Sequence, residues 1–338
     1  MADLGFMNNN LQGFYLNPGR ILQNRFEILR HSNTWVDQTS YIVYDRTNRE
    51  EQILHCIGKS VDDGMRATNH ENFLHSASGR KGFPQFVTSF DLGDFKCIVT
   101  SGHGDDMFQL FDRSPNGISP ENSVRLTYRL FKLIEVMHSL GVVHRAIRPS
   151  TIRGGTNWNM EFEVELHVFA FCAPHDPPPS TNGMSTWRFG SMQANTGEPY
   201  SPIDDYVSAI FVAMHSQNIQ PFVPRRAHRQ MTLLDRKLAF HNNVETYFVE
   251  EKQKWLGRLY LELERQRIEG YKQESIMEIF NSAIPGFDPT SPISCEIVDS
   301  TFVKFTDVEP ENTDDSSDST SSEDSFHPHA RVILVPDQ

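Results

Sequence analysis

The sequence predicts an α+β protein whose strands come first and whose helices follow. Three observations carry this. Residues 26–31, 40–45 and 51–57 are short runs of strand-forming side chains; the middle one alternates aromatic and β-branched residues, and 45–50 is a polar turn. Leu126, Leu130, Leu133, Ile134, Met137 and Leu140 recur at helical spacing and would form one buried stripe. Trp255, Leu256, Leu259, Leu261, Leu263, Ile276, Ile279 and Phe280 give residues 244–284 a second, longer helical pattern.

Taken in order, residues 1–20 are Asn-rich and contain glycine, and are expected to be a flexible lead-in. After the three strands, a helix is expected over 63–77 and a connection over 79–84. A hairpin of 85–92 and 95–101 then turns at Gly93-Asp94. Gly102 to Gly104 would be a hinge between the two halves. In the first long helix, Ser119 before Pro120 is an N-cap with proline at the first helical position, and Gly141 is the stop. Residues 161–171 are expected to be a strand, 175–183 a Pro-rich loop and 203–217 an apolar helix. Residues 309–325 are rich in Ser, Asp and Glu with almost nothing apolar, which predicts disorder; 331–335 form an apolar island after them.

Bulk properties narrow the function classes. The 338 residues carry 31 basic and 44 acidic side chains, a net charge of −13, which argues against a general nucleic-acid binder. After residue 300 there are nine acidic against two basic residues, so the rest is only mildly acidic. No run approaches the roughly 20 apolar residues of a membrane helix, and the first residues lack a basic stretch followed by an apolar core, so no secretory signal is expected. Cys56, Cys97, Cys172 and Cys295 lack paired spacing, which fits thiols in a reducing compartment, the cytoplasm or nucleus. The fourteen histidines show no zinc-type spacing, and His327-Pro328-His329 is a weak metal candidate, so no metal is expected.

One stretch is more specific. The segment His144-Arg145-Ala146-Ile147-Arg148-Pro149-Ser150-Thr151, after the helix that stops at Gly141, resembles the catalytic loop H-R-D-x-K-P-x-N of protein kinases. Further on, Ser185-Thr186-Trp187-Arg188-Phe189-Gly190-Ser191, Gly197, Ser201, Asp204-Asp205 and Ser208 resemble the G-T-x-R-(Y/F)-x-S, H-x-G and S-x-x-D-D-x-x-S pattern of the casein kinase I group. Ser185 departs from it at the first glycine and Asn195 at the histidine. The resemblance covers roughly residues 26–284. It implies a bilobal kinase-like fold, with a small five-stranded antiparallel lobe and one helix over 21–101, a mostly helical lobe over 102–300 and a disordered tail over 301–338.

The same resemblance implies that the chemistry is missing. Phosphoryl transfer needs a glycine-rich lid, a lysine on the third strand, two metal-holding groups and a carboxylate to orient the nucleophile. Asn33, Trp35 and Gln38 stand at the lid, whose backbone approach to phosphate glycine permits. His55, a short and neutral side chain, replaces the lysine. Val168-Phe169-Ala170 replaces D-F-G, Thr151 replaces the metal-binding asparagine and Ala146 the catalytic aspartate. Glu71 is the expected partner of the lysine position. Asp205 would hold the loop backbone, Phe169 would be core, and His144 would pack in the core with local hydrogen bonds.

The expectation is a catalytically inactive casein kinase I-like protein with no cofactor. It would bind protein partners, such as an active kinase or phosphorylated or acidic peptides, and neither nucleic acid nor membrane. Arg188 matches the arginine of G-T-x-R, and Arg225, Arg226 and Arg229 lie where the family carries a lysine-containing segment. Together they are candidates for holding a phosphorylated or acidic peptide, the chain's own tail with Ser316, Ser317, Ser319, Ser321 and Ser322 included. Two alternatives stand beside this. One is an atypical kinase using Asp176, or His167, whose side chain on a strand would face away from the D-F-G position. The other is a module that binds ATP without turnover.

Overall fold

The computed structural model describes residues 14–35, 38–60, 64–102, 104–114, 116–156, 161–181, 184, 187–224, 231–286, 288–299 and 302–306. In the sheet-rich part, β1 (Ile21–Leu22), β2 (Phe26–Trp35), β3 (Gln38–Asp45), β4 (Glu50–Gly58), helix α1 (Met65–Ser76), β5 (Phe86–Leu92) and β6 (Phe95–Thr100) follow one another. The strands form one six-stranded antiparallel sheet in the order β1-β2-β3-β4-β6-β5.

Strand alternation decides what each face does. Tyr41 and Val43 of β3, with Leu54 and Cys56 of β4, point into a cluster that includes Phe26, Ile28, Cys97 and Val99. Their neighbours Ser40, Ile53 and His55 therefore point to the opposite face. That face is where α1 packs, through Phe73 and Leu74. The lead-in is not free over its described residues. Leu16 is buried in the sheet cluster, its N–H donates to Tyr41 Oη at 3.1 Å, and the Phe14 ring lies 3.8 Å from that of Phe95. A single buried leucine and a ring stack outweigh the polar composition that predicted flexibility.

The helical part begins with β7 (Asp105–Asp106), α2 (Met107–Asp112) and α3 (Pro120–Ser139). Ser119 caps α3 by accepting from Asn122 N at 3.2 Å, and the five helical members of the predicted stripe are buried. Next come β8 (Val142–Val143), β9 (Ile152–Thr156), β10 (Phe162–Leu166) and β11 (Ala173–Pro174); β8 pairs with β11, and β9 lies between β10 and β7. The expected strand over 161–171 ends at Leu166. A left-handed Val168 (φ 63°) turns the chain into a 3₁₀ turn at Phe169–Phe171.

Helices α4 (Met192–Thr196), α5 (Pro202–Ser216), α6 (Leu233–Asn242), α7 (Lys254–Glu269) and α8 (Gln273–Asn281) complete the α content. Helix α5 is buried on nearly all sides, between α3 and α7, as expected of a helix that is apolar all round. The expected helical stretch 244–284 is broken, because Gly270 (φ 91°) ends α7 and two 3₁₀ turns precede it. A hairpin of β12 (Cys295–Asp299) and β13 (Phe302–Phe305) follows. It overlaps the start of the expected disordered tail. Asn122 Nδ2 donates to Ser294 O at 2.9 Å and to Thr306 O at 3.0 Å, which fastens this hairpin to α3. Residues 308–338, the rest of the acidic tail and the His327-Pro328-His329 triplet lie outside the described residues. The fold is thus mixed α+β, with a curled antiparallel sheet and helices. Among the described residues no helix is long and apolar enough to cross a membrane.

Candidate functional site

Two regions around the 144–151 loop hold most of the residues singled out by sequence. The first is the anchor of the loop. The carboxylate of Asp205, on α5, is fully buried and takes four donors. Oδ2 accepts from His144 N at 2.7 Å and His138 Nε2 at 3.0 Å; Oδ1 accepts from Arg145 N at 2.9 Å and Tyr200 Oη at 2.8 Å. Burial works against this charge, but the hydrogen bond from His138 and the backbone N–H of His144 outweigh it and hold the carboxyl below its usual range. The expected hold of Asp205 on the loop backbone is therefore present. His144 also has its expected place: it is buried, its Nδ1 accepts from Ala146 N at 3.2 Å and its Nε2 faces His167 O at 3.2 Å. Phe169 is fully buried, with ring neighbours Phe73 at 4.3 Å and His144 at 5.5 Å, so it is core.

The second region is a cleft of about 400 Å³, open solvent at its mouth included, with about 20 Å³ inside it, room for about one water. Its sheet side is made by Ser32, Asn33, Gln38, Ser40, Ile53 and His55, and its other side by Asp106, Arg148, Ser150, Arg153, His167 and Val168. The predicted positions His55, Asn33, Gln38 and Val168 are thus brought together. Their polar groups are largely spent on the protein itself. His55 Nδ1 lies 3.1 Å from Gln38 Nε2 and 3.0 Å from Ser40 Oγ. Asn33 Nδ2 reaches down to Ser150 O at 3.5 Å. Thr151 Oγ1 lies 2.8 Å from Ala146 O and 3.0 Å from Arg148 O, and it accepts from Arg148 N at 3.1 Å, so the hydroxyl closes the loop on itself. Ala146 is buried and brings no polar atom. Trp35 ends β2, and its side chain lies outside the described residues.

Sequence reasoning missed Arg153. It lies on β9, two residues after Thr151, and is 6% exposed. Its guanidinium crosses the cleft, Nη1 donating to Ser32 Oγ at 3.4 Å and Nη2 to Gly104 O. The chain approaches β9 so closely here that a Cβ at Gly104 (φ 73°) would lie 2.0 Å from Gly154 O, so only glycine fits. The two glycines after Arg153 obscured the strand; the one available signal was a charged side chain between Ile152 and Gly154 in an otherwise apolar setting.

Three expectations are corrected. Glu71 does not face His55; it accepts from Ser89 Oγ at 2.8 Å and pairs with Lys96 at 3.7 Å on the far side of α1. The preceding residue, His70, takes its place, with its ring 4.9 Å from that of His55. His70 is fully buried, and neither ring nitrogen has a hydrogen-bond partner. Burial, with His167 and His144 nearby, lowers its pKa to about 3. Burial likewise pushes His55 well below its ordinary range, with His70, His167 and Arg153 adding to the effect. Second, His167 faces the cleft rather than away from it, because the strand has already ended and the left-handed turn at Val168 redirects the chain; its Nε2 pairs with Glu165 at 3.0 Å. Third, Asp176 is exposed and does not line the cleft.

The arginine candidates separate. Arg188 Nη2 donates to Gln220 Oε1 at 2.9 Å and the guanidinium sits 5.6 Å from the Phe189 ring centroid. Arg225, Arg226 and Arg229 lie outside the described residues. Nearby, the buried Lys237 of α6 donates to Trp187 O at 3.1 Å, Gly190 O and Asn195 Oδ1, so the residue that departs from the family pattern, Asn195, is a holding point for that segment. Among the described residues no group of three or more His, Cys, Asp or Glu side chains is arranged to hold a metal ion. Cys56 and Cys97 are buried thiols in contact at 3.6 Å, Cys172 is buried and Cys295 is partly exposed. A scan against protein-family models and a search of curated proteins both return no match for this chain.

Proposed function

We propose that this chain is a kinase-like protein of the casein kinase I type that has lost phosphotransfer and acts by binding other proteins, in the cytoplasm or nucleus. The reading combines the motif resemblance with one observation above all. His55 is bonded to Gln38, Thr151 to the Ala146 carbonyl and Asn33 to that of Ser150, and Arg153 reaches from Ser32 to Gly104 beside them. Phosphoryl transfer is almost wholly positioning and charge neutralisation. A neutral His55, an apolar Val168 and a Thr151 hydroxyl already committed to the loop supply neither. The six-stranded sheet followed by helices is compatible with the small and large lobes of such a fold.

Partners of this module are acidic or phosphorylated segments, recognised by Arg188 together with Arg225, Arg226 and Arg229, since guanidinium forks suit phosphate. Two measurements test the reading. Thermal melting with ATP, with and without Mg²⁺, and transfer of labelled phosphate to casein and to a peptide of residues 309–325 are both expected to be null. Transfer that disappears in Asp176→Ala or His167→Ala would establish an atypical kinase instead. Binding of phosphoserine peptides is expected to weaken in Arg188→Ala; equal affinities would remove the arginine site.

A further inference from the structure

The cleft between the sheet and β9 is narrow, yet it is not chemically blank. Its lining carries two guanidinium groups, Arg148 and Arg153, against one carboxylate, Asp106. That carboxylate accepts from Gln109 N at 2.9 Å as the N-cap of α2, and its charge also acts on Arg153. The other acids near Arg153 are also engaged: Asp105 pairs with Arg113 at 2.6 Å and Glu165 with His167 at 3.0 Å. The two imidazoles of the lining bring no further acid, and Ser32 and Ser150 add hydroxyl donors.

Arg153 is the informative member. Of the five N–H groups that a guanidinium presents, it makes two hydrogen bonds among the described residues, and its buried Nε has no partner. A buried cation with spare donors, beside a second arginine and two hydroxyls, is the chemistry that recognises an oxyanion through charge-assisted hydrogen bonds. The space is small, with an interior for about one water, so a compact group seated at its mouth suits it better than a bulky one.

We propose that this cleft binds one phosphate-type oxyanion, held by Arg153 and Arg148 with Ser32 and Ser150 at its rim. The oxyanion comes either from free phosphate or from a phosphorylated serine side chain. This inference rests on the cleft alone and stands whether or not the kinase-like reading holds.

The test is calorimetric titration of the full-length chain with inorganic phosphate at constant ionic strength, chloride replacing phosphate in the control. Saturable binding in the roughly millimolar range or tighter is expected, weakened about tenfold in Arg148→Gln, whose side chain is partly exposed. Arg153→Met should abolish binding; because that residue is buried, its circular dichroism spectrum is compared with the wild type, and Arg148→Gln carries the decision if Arg153→Met unfolds. Arg188→Ala should bind phosphate as the wild type does, which separates this cleft from the peptide site proposed above. A phosphoserine peptide of residues 312–325 that competes for the cleft, while its unmodified form does not, identifies a side-chain phosphate as the source. Competition by neither peptide, with phosphate still bound, identifies the free ion. No saturable phosphate binding, or binding unchanged in Arg148→Gln, overturns the proposal.

Discussion

The two ends of one short loop behave differently. At its start, His144 and Arg145 give their backbone N–H groups to a buried carboxylate that also takes Tyr200 and His138, so every acceptor site of Asp205 is used. At its end, Thr151 and the cleft around Arg153 contain polar groups bonded largely within the wall and an apolar Val168; behind His55 lies a fully buried His70 whose ring nitrogens have no hydrogen-bond partner among the described residues. The first region is a complete support. In the second, many polar groups are bonded within the wall, while the buried Nε of Arg153 has no partner among the described residues. The lesson is that a support can be judged by whether its polar atoms are satisfied from within. A working cleft is judged by which atoms remain free to meet something from outside.

The largest effect should come from breaking the support. Asp205→Ala strips four donors of their shared acceptor in a buried setting and should cost about 3–5 kcal/mol in urea unfolding, or prevent folding. A cost near that of a surface substitution would mean that the loop is held by something else.

Three buried histidines around the loop and cleft give the next effect. His55, His70 and His144 are kept neutral by burial, with pKa values below the ordinary 6.5 and His70 at about 3. Unfolding lets them take up protons, so their contribution is intact above pH 6.5 and is lost as pH falls below it, toward 3 for His70. His55 and His70 each add a slope of up to about 1.4 kcal/mol per pH unit below 6.5, and His144, less displaced, adds less. Chemical denaturation between pH 7 and 5 should show this fall, before carboxylates titrate. Flat stability across that range would show that these rings are not held neutral.

Smaller, and opposite in sign, is the effect expected at His70. Since its ring nitrogens have no partners, His70→Leu should raise stability by about 1 kcal/mol and flatten the pH slope by one histidine's share. A loss of stability would reveal a partner for the ring. Smallest of all, Glu71→Ala should cost less than about 1 kcal/mol, because its pair with Lys96 is partly exposed and loose at 3.7 Å. A larger cost would return Glu71 to the cleft account.

Much of this was legible in the residues themselves. Helix α3 was plain because Ser119-Pro120, the leucine stripe and Gly141 agree with one another. Asp205 was legible through its motif. What was missed has physical reasons. Strand β9 reads as a loop because it contains Gly154 and Gly155, yet Gly154 is required where a Cβ would come within 2.2 Å of the Phe162 ring. Helix α6 carried a readable start in Thr232 and Asp235, which cap it reciprocally, and the alternation over 295–305 was a readable hairpin. The exchange of Glu71 for His70 was not readable. Which of two adjacent helical residues faces the sheet depends on a rotation that the weakly amphipathic α1 does not specify. His167 was misplaced because its strand was taken to run five residues too far.

The central claim is that Arg153, His55 and Gln38 occupy the place a metal–nucleotide complex would need. Crystals grown for the purpose and soaked with Mg²⁺ and a non-hydrolysable ATP analogue test it most directly. The account predicts Arg153 still bonded to Gly104 O and no triphosphate beside Val168. An ordered triphosphate there, with Arg153 swung out of the cleft, would contradict it.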